Sequence, residues 1–470
     1  MNATFDVALA LAAKQEESGG FADAEATYRR FIDELPGHAV ARFNFACFLR
    51  RRGRNDEALD EHQAALDLGI DHPEEVLSNM AVIHTELRRD AAAKMLLERA
   101  LAANPAYIPA MFNLALQHEE FGDRKTALEL FNRILELNPA WHDALIHIAH
   151  AGTVRDPDGE VVRRLRRALR RSNIDALTRE SLHFALGKAL DDCGRYDEAF
   201  AQYGLGNRVS IARLQRYDRA VEERGVTRIL EIFSPEFMAS ATPVSDRPLV
   251  FVTGMFRSGS TLFEQVLAAH PQVTPGGEIN YFMSRQLPVD PAQWQEIAQG
   301  YVEYLDQNFP GAGIVTNKRP DAFPLLGVLK AMFPKARFVN TLRDPRDTCL
   351  SIWFQQFDSQ LGYASDLGNI AHHYAQYQRL MQHWRGLFGA SIFDADYDQY
   401  VRDPRTVTER LLAFLGLGWH DGCLEFQRNA TRVRTASVTQ VRESLYRKSS
   451  GRWRNYESQI DGLLAQLGTG

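Results

Sequence analysis

The sequence has few cysteines and no long apolar run. Its four cysteines, Cys47, Cys193, Cys349 and Cys423, lie far apart and form no CxxC pair. A zinc cluster or a disulfide framework is therefore not expected, and this usage fits a reducing compartment. No stretch approaches the ~18 uninterrupted apolar residues of a membrane span, and the start, MNATFDVALALAAKQEESGG, lacks the pattern of a signal peptide. We therefore expect a cytoplasmic protein without a membrane span.

The chain also lacks an excess of charge of one sign. Among 470 residues, 54 lysines and arginines stand against 60 aspartates and glutamates, which gives a formal net charge of −6. Proteins that hold nucleic acid through a general electrostatic field are usually strongly basic, so no nucleic-acid partner is expected. Hydrophobic residues make up 45% of the chain, which suits a globular protein, and the length predicts about three structural units.

Alanine-rich helical patterns recur in the first half of the chain. Pro105 and Pro139 lie 34 residues apart, which is one tetratricopeptide period. A small residue stands twelve positions before each of these prolines, and before Pro36, and a bulky residue stands eight positions before. Small residues let two antiparallel helices approach closely, and proline ends the second helix because it lacks an amide hydrogen. The small and bulky residues are Ala24, Ala93, Ala127, Tyr28, Leu97 and Phe131.

This pattern resembles tetratricopeptide repeats over residues 1–210, with a clear late unit in LHFALGKALDDCGRYDEAFAQY. Residues 142–178 fit the repeat poorly. Within them, VVRRLRRALRRS (161–172) indicates either a solvated helix face with Leu165 and Leu169 buried, or a patch for an anion or a partner. The resemblance implies an α-solenoid that binds a peptide or protein, packs on another domain, or associates with a second copy.

The pattern changes after a connecting segment at 211–245, where repeat spacing is lost and SATPVSDRP brings turn residues. From residue 246 to the end at 470, short apolar runs alternate with helical patterns, which predicts an α/β domain with a parallel sheet. The predicted strands lie in PLVFVTG, GIVTNK (313–318), ARFVNTLRD (336–344) and SIFDADYDQY (391–400). Ligands of such sheets bind at the carboxyl ends of strands. Four polar residues fall at or just after these ends: Arg257, Lys318, Arg343 and Tyr397.

The first predicted strand runs into a loop typical of phosphate sites. Gly254 and Gly259 stand five residues apart and are followed by Ser260 and Thr261. Strand, glycine loop and helix together direct backbone amides at an anion, so we expect a P-loop-like site. A nucleotidase loop has lysine where this chain has Ser260. The cation lies inside the loop instead, at Arg257, which favours a phosphate ligand over ordinary ATP hydrolysis.

The same loop, FVTGMFRSGSTLFEQVLAAHPQV, resembles the 5′-phosphosulfate loop of sulfotransferases and is most similar to that of tyrosylprotein sulfotransferases. RFVNTLRDPRDTCLSIW resembles the family's 3′-phosphate segment, and YRKSSGRW (446–453) its basic terminal segment. The resemblance covers residues 246–455. It implies the donor PAPS, the product PAP and no metal, and a tetratricopeptide array fused to a sulfotransferase domain is an arrangement known in bacteria.

The resemblance also implies a role for each matching residue. Five loop residues would hold the 5′-phosphosulfate: Arg257, Ser258, Gly259, Ser260 and Thr261. Five others would surround the 3′-phosphate: Arg343, Ser351, Tyr397, Arg447 and Lys448. Arg257 would also stabilise the transferring group, Lys318 would donate to the bridging oxygen, and Ser437 would lie near the transferring group. Arg343 has an alternative role as a structural partner of Asp344 or Asp347, and Tyr397 as a core tyrosine.

The expected base is Glu278, because tyrosylprotein sulfotransferases place a glutamate in a Gly-Glu-Glu segment and this chain has PQVTPGGEIN. Ile279 follows here, so the second acidic position has no counterpart. Cytosolic sulfotransferases use a histidine base, which makes His372 and His373 the rival candidates.

The acceptor stays open among a protein tyrosine, a sugar, a lipid and a small alcohol, with acceptor contacts expected in 279–312 and 355–372. Two other functions remain as alternatives. One is a non-catalytic scaffold with a PAP-binding domain and a peptide-binding repeat array. The other is a phosphate-loop kinase.

Overall fold

The computed structural model describes residues 2–285, 293–357, 361–428 and 449–467, with side chains from residue 9 onward. Three predicted site residues, Ser437, Arg447 and Lys448, lie outside the described residues. The chain divides into two compact units, Met1–Ile148 and Ala149–Gly470. The limits expected from the sequence, at 210 and 245, stay a prediction.

The first unit consists of antiparallel helical hairpins. Its helices are α1 (Asn2–Glu17), α2 (Phe21–Glu34), α3 (Ala39–Arg51), α4 (Asn55–Asp67), α5 (Pro73–Glu86), α6 (Asp90–Ala103), α7 (Ile108–Glu120), α8 (Arg124–Leu137) and the larger part of α9 (His142–Ala151). Pro36, Pro105 and Pro139 each follow the end of a helix by two residues, as the spacing predicts.

Packing inside these hairpins follows the predicted repeat positions. Ala24, Ala93 and Ala127 are fully buried, and the bulky residues Tyr28, Leu97 and Phe131 are buried beside neighbouring helices. An alanine at such a position leaves room for the partner helix, so each hairpin closes around its small residue. The predicted tetratricopeptide solenoid is confirmed in this part of the chain.

The second unit begins with further helices: α10 (Glu160–Leu169), α11 (Ala176–Asp192), α12 (Tyr196–Arg213), α13 (Arg219–Ile232) and α14 (Pro235–Ser240). In α10, Leu165 is buried as expected, but Leu169 is only half-buried. Val162 and Ala168 fill the other inward positions of this short helix. Its arginines lie on the outer face, where Arg164 pairs with Glu160 at 2.7 Å.

The remaining helices surround a sheet. They are α15 (Ser260–Ala268), α16 (Trp294–Asn308), α17 (Leu326–Met332), α18 (Pro345–Trp353), α19 (Leu367–Phe388), α20 (Tyr397–Arg402), α21 (Pro404–Leu415) and α22 (Asp461–Leu467). The strands are β1 (Val250–Gly254), β2 (Val273–Pro275), β3 (Ile314–Lys318), β4 (Arg337–Leu342) and β5 (Ile392–Asp396).

All neighbouring strands in the sheet pair in parallel, in the order β2-β3-β1-β4-β5. The predicted parallel sheet is therefore confirmed, whereas the three-residue strand β2 was not foreseen, because VTP is too short for an apolar run. Every residue of the central strand β1 is buried, which explains its continuous apolar sequence. Helices cover one face with a core formed by Val250, Val252, Phe263, Val266, Val339, Tyr400 and Leu411.

Within the described part of the chain, no helix is both long and apolar enough to cross a membrane. The same residues contain no group of three or more His, Cys, Asp or Glu side chains arranged to hold a metal ion.

Candidate active site

The topology places a crevice at the carboxyl ends of β1 and β4. These two strands are neighbours, with Gly254 opposite Thr341 at their ends. After β1 the chain continues to β2, at one edge of the sheet, and after β4 it continues to β5, at the opposite edge. Adjacent connections that diverge in this way open a crevice where ligands of parallel sheets bind.

The loop after β1 has a shape that only particular residues permit. Gly254 has a φ of 141°, and a Cβ there would lie 2.6 Å from the carbonyl oxygen of Thr341. Gly259 has a φ of 106°, and a Cβ there would lie 3.1 Å from the ring of Tyr397. Arg257 also has a left-handed φ, 66°, which is uncommon for a residue with a side chain. The loop thus stores strain at the position of its cation.

Helix α15 begins directly after this loop, at Ser260. Its first amides and its dipole are directed at the loop, which is the arrangement that binds anions. Ser260 and Thr261 are buried. The hydroxyl of Ser258 is used within the fold, since it donates to the Met255 carbonyl at 2.6 Å and lies 2.6 Å from the Thr341 hydroxyl.

Arg257, in the loop after β1, lies close to Ser351 on helix α18. Its Nε donates to the Ser351 hydroxyl at 3.1 Å, so the loop after β1 contacts helix α18, which follows β4. Burial, together with the nearby positive charges of Arg343 and Arg452, lowers the pKa of Arg257 to about 10. Arg257 stays charged at neutral pH. Gathering like charges in a buried place costs free energy that a bound anion would offset.

Arg343 spans the crevice. One terminal nitrogen donates to the carbonyl of Arg257 at 3.2 Å, and the other donates to the carbonyl of Ser449. Its Nε is buried and has no hydrogen-bond partner among the described residues. A buried donor without a partner is costly, so the site suits an oxygen-bearing ligand at this nitrogen.

The alternative partners of Arg343 are engaged elsewhere. Asp344 caps α18 and pairs with Arg346 at 2.5 Å. Asp347 accepts from the amide of Gly451 at 2.6 Å and from the amide of Trp453 at 2.8 Å. Burial raises the pKa of Asp347, while the charge of Arg343 opposes that rise.

Tyr397 follows β5 as the first residue of α20. Its ring lies under Arg343, with the guanidinium carbon 5.4 Å from the ring centroid. The same ring fills the space beside Gly259 and packs on the core. The ring thus packs against the core and lies beside Arg343, and the expected contact of Tyr397 with a 3′-phosphate stays a prediction.

Glu278 and Lys318 form an ion pair at the end of β3. The Lys318 side chain is 2% exposed and that of Glu278 is 41% exposed. A buried ammonium is thus matched by a carboxylate that still reaches solvent. This is a suitable position for a group that must meet an incoming substrate and accept a proton from it.

A buried glutamate that sequence reasoning missed holds the turn before Glu278. Glu264, on α15, accepts from the amide of Gly277 at 3.0 Å. The carbonyl of Gly277 in turn accepts from the amide of Lys318 at 2.9 Å. Helix α15 therefore links the phosphate loop to the Glu278 turn. The available signal was an acidic residue inside the otherwise apolar run STLFEQVLA.

The rival histidines lie against α13. His372 is engaged at both ring nitrogens, by the Tyr217 hydroxyl at 2.8 Å and by Glu223 at 2.9 Å. His373 pairs with Glu222 at 3.0 Å. These contacts hold α19 to α13 and to Tyr217, and the choice of Glu278 over a histidine base stays a prediction.

An ion pair and a cavity near the crevice were not singled out from the sequence. Arg452 pairs with Asp191 of α11 at 2.6 Å. A cavity of about 840 Å³ lies beside Arg343, bounded by α19, by α20 and by Gly451.

Two segments of this chain match models of known protein families. Residues 248–421 match the model of the sulfotransferase family, and residues 109–140 match a tetratricopeptide repeat. A solved structure with a similar part is the sulfotransferase domain from the Synechococcus PCC 7002 olefin synthase. It has 20% identity and a TM-score of 0.35, and the match covers 44% of this chain and 87% of that one.

Similar curated proteins come from several organisms. An uncharacterized protein of Aquifex aeolicus is 31% identical over 62% of this chain and 42% of its own length. Protein-tyrosine sulfotransferase 1 of Danio rerio is 26% identical over 42% of this chain and 61% of its own length. Protein-tyrosine sulfotransferase of Drosophila melanogaster is 26% identical over 42% of this chain and 44% of its own length. The chain spans about half the length of the curated relatives it matches.

Proposed function

We propose that this chain, in which a sulfotransferase-family domain accompanies tetratricopeptide repeats, transfers a sulfuryl group from PAPS to an acceptor hydroxyl. The observation that carries this proposal is Arg343. It bonds to the phosphate loop through one nitrogen, and its buried Nε has no partner among the described residues. A phosphate oxygen would satisfy that donor.

The residues of the crevice fit such a donor. The amides at the start of α15 and the side chain of Arg257 would hold the 5′-phosphosulfate, because they combine a helix N-terminus with a fixed positive charge. Arg343 and Ser351 would hold the 3′-phosphate. PAPS, when bound, supplies a sulfuryl group activated by its bond to phosphate.

The ion pair of Glu278 and Lys318 fits the proton chemistry of the transfer. The Glu278 carboxylate would take the proton of the acceptor hydroxyl at its exposed oxygen. The Lys318 ammonium, which pairs with that carboxylate, would place positive charge where negative charge develops. Both groups are held in position before any ligand arrives, because the Glu278 turn is bonded to β3 and to α15.

A second candidate function is a scaffold that binds PAP without turnover and a peptide through its repeats. The match of residues 109–140 to a tetratricopeptide repeat favours a peptide or protein partner. The two candidates share the donor site and differ in catalysis. A protein tyrosine is the acceptor that would give both the sulfotransferase domain and the peptide-binding repeats a role. An acceptor assay would compare a tyrosine peptide with a sugar, a lipid and a small alcohol.

The test of the donor site is thermal unfolding of the full chain with PAP, beside ATP and AMP. A ligand at about 100 times its dissociation constant stabilises a protein by roughly 2.7 kcal/mol. We expect a clear shift of the unfolding midpoint with PAP and loss of that shift in Arg343→Ala.

The matched control is Arg337→Ala. Arg337 begins the same strand at its opposite end and is exposed there. It should keep the full response to PAP. A folded wild-type protein that does not respond to PAP would overturn the proposed donor site.

A further inference from the structure

The hairpin α11–α12, which the sequence assigns to the last repeat, is packed into the same compact unit as the sheet. Asn207 of α12 donates to the carbonyl of Trp353 at 2.8 Å, and Arg213 donates to the carbonyl of Phe357 at 2.7 Å. These bonds hold the C-terminal end of α18, the helix that presents Ser351 to Arg257. The hairpin thus supports one wall of the crevice.

Asp191, near the end of α11, holds the C-terminal segment that forms a second wall of the crevice. One carboxylate oxygen pairs with Arg452 at 2.6 Å, and the other accepts from the hydroxyl of Tyr456. The Asp191 side chain is 14% exposed. The ring of Tyr456 is fully buried and meets Tyr196 of α12 edge-on at 5.3 Å. A single carboxylate therefore fastens two side chains of the C-terminal segment to the hairpin.

The opposite side of that segment faces the proposed anion site. Its backbone donates to Asp347 from Gly451 and Trp453. Its carbonyl at Ser449 accepts from Arg343, the residue whose Nε has no partner among the described residues. Residues 449–453 are thus held between Asp191 on one side and the end of β4 on the other.

We propose that Asp191 is a positioning residue of the donor site. By binding Arg452 and Tyr456 it fixes residues 449–453, and these restrain the guanidinium of Arg343 for an anion. The inference rests on the proposed function. It adds that the last hairpin of the repeat array is a structural part of that site.

A positioning role and simple electrostatics predict opposite changes in anion affinity when Asp191 loses its charge. Replacing this carboxylate makes the region more positive. The charge of Arg452 already reaches Arg257, whose pKa it helps to lower. Electrostatics alone therefore predicts tighter binding of an anion. Positioning predicts weaker binding, because Arg452, whose side chain is 27% exposed, loses its ion-pair partner and the segment that restrains Arg343 shifts.

The experiment compares PAP affinity in full-length variants by titration well below their unfolding midpoints. Asp191→Asn should weaken PAP binding by about tenfold, which corresponds to about 1.4 kcal/mol. Asp191→Glu keeps the carboxylate and should recover most of the affinity. The matched control is Asp192→Asn, which removes the same charge one residue away. That carboxylate instead pairs with Lys188 at 2.7 Å and accepts from the amide of Val154 at 2.9 Å.

Unchanged or tighter PAP binding in Asp191→Asn overturns the inference, and so does an equal loss in Asp192→Asn. If Asp191→Asn does not fold, the PAP affinity of Tyr456→Phe is compared with that of Asp192→Asn instead. It removes only the hydroxyl bonded to Asp191. Weaker binding than in Asp192→Asn supports the inference, and unchanged binding overturns it. Absence of PAP binding by the wild-type protein would instead overturn the proposed function.

Discussion

An alanine at Gly276 is expected to disrupt the turn that presents Glu278 to Lys318. The amide of Gly276 donates to the carbonyl of Thr316 at 2.9 Å. A Cβ on Gly276 would lie 2.3 Å from that same oxygen and 2.8 Å from Cδ1 of Ile279. The turn and the strand therefore cannot both keep their places after the substitution.

The expected loss of stability depends on which backbone atoms must move to make room for the new Cβ. The Thr316 oxygen belongs to the backbone of β3, where Thr316 is paired with Val250 of β1, so it cannot rotate away as a side chain would. Overpacking a well-filled site costs about 1–3 kcal/mol. Loss of the Gly276 hydrogen bond adds about 0.5–1.5 kcal/mol. We expect the free energy of unfolding to fall by roughly 1.5–4.5 kcal/mol, the sum of these two ranges.

The assay is urea unfolding of the variant beside Gly313→Ala as a matched control. Gly313 flanks the start of β3, and a Cβ there would meet nothing closer than the Gln272 carbonyl at 3.5 Å. This control should stay within about 0.5 kcal/mol of the wild-type protein. Sulfuryl transfer should fall by about a hundredfold in Gly276→Ala, because the base is displaced, while PAP affinity changes less. Equal unfolding free energies for the two variants would refute the reasoning.

Three further outcomes are expected. Glu278→Gln should abolish transfer, assayed with PAPS and an acceptor panel, and keep the PAP-induced shift of the unfolding midpoint; full activity would exclude this base. Burial lowers the pKa of His62 to about 4, so the unfolded chain takes up a proton first as the pH falls. About 3 kcal/mol of stability should then be lost between pH 6.5 and 4, and His62→Leu should remove this pH dependence of urea unfolding. Gly187→Ala should cost about 1–3 kcal/mol in urea unfolding, because a Cβ would lie 2.9 Å from the buried ring of Tyr203. Gly225→Ala, with open space around it, should be neutral or stabilising.

Much of the fold was predictable because its signals are local. The buried alanines at 24, 93 and 127 and the prolines after the hairpins that contain them follow from helix packing within one repeat. The apolar run of β1 and the glycines around the phosphate loop follow from strand burial and from left-handed backbone angles. The strand β2 escaped prediction because three residues, VTP, carry no periodic signal.

The site was predictable where a residue ends a strand. Arg257 and Arg343 follow parallel strands and Lys318 is the last residue of another, so one edge of the sheet gathers them whatever the details of packing. The partners of these residues were not predictable in the same way. Glu264 stands inside the apolar run STLFEQVLA, and its bond to the amide of Gly277 exists only because α15 packs beside β2.

The sequence by itself determined the two architectures, the phosphate loop and the set of cations at the strand ends, because each depends on spacing along a short stretch of chain. Only the tertiary structure decided how those cations are supported. Asp191 and Arg452 are separated by most of the second unit, and no local pattern predicts that they pair. Such contacts arise when distant elements pack together. The tertiary structure alone therefore shows the pairing of Asp191 with Arg452, on which the proposed support of the anion site by the α11–α12 hairpin rests.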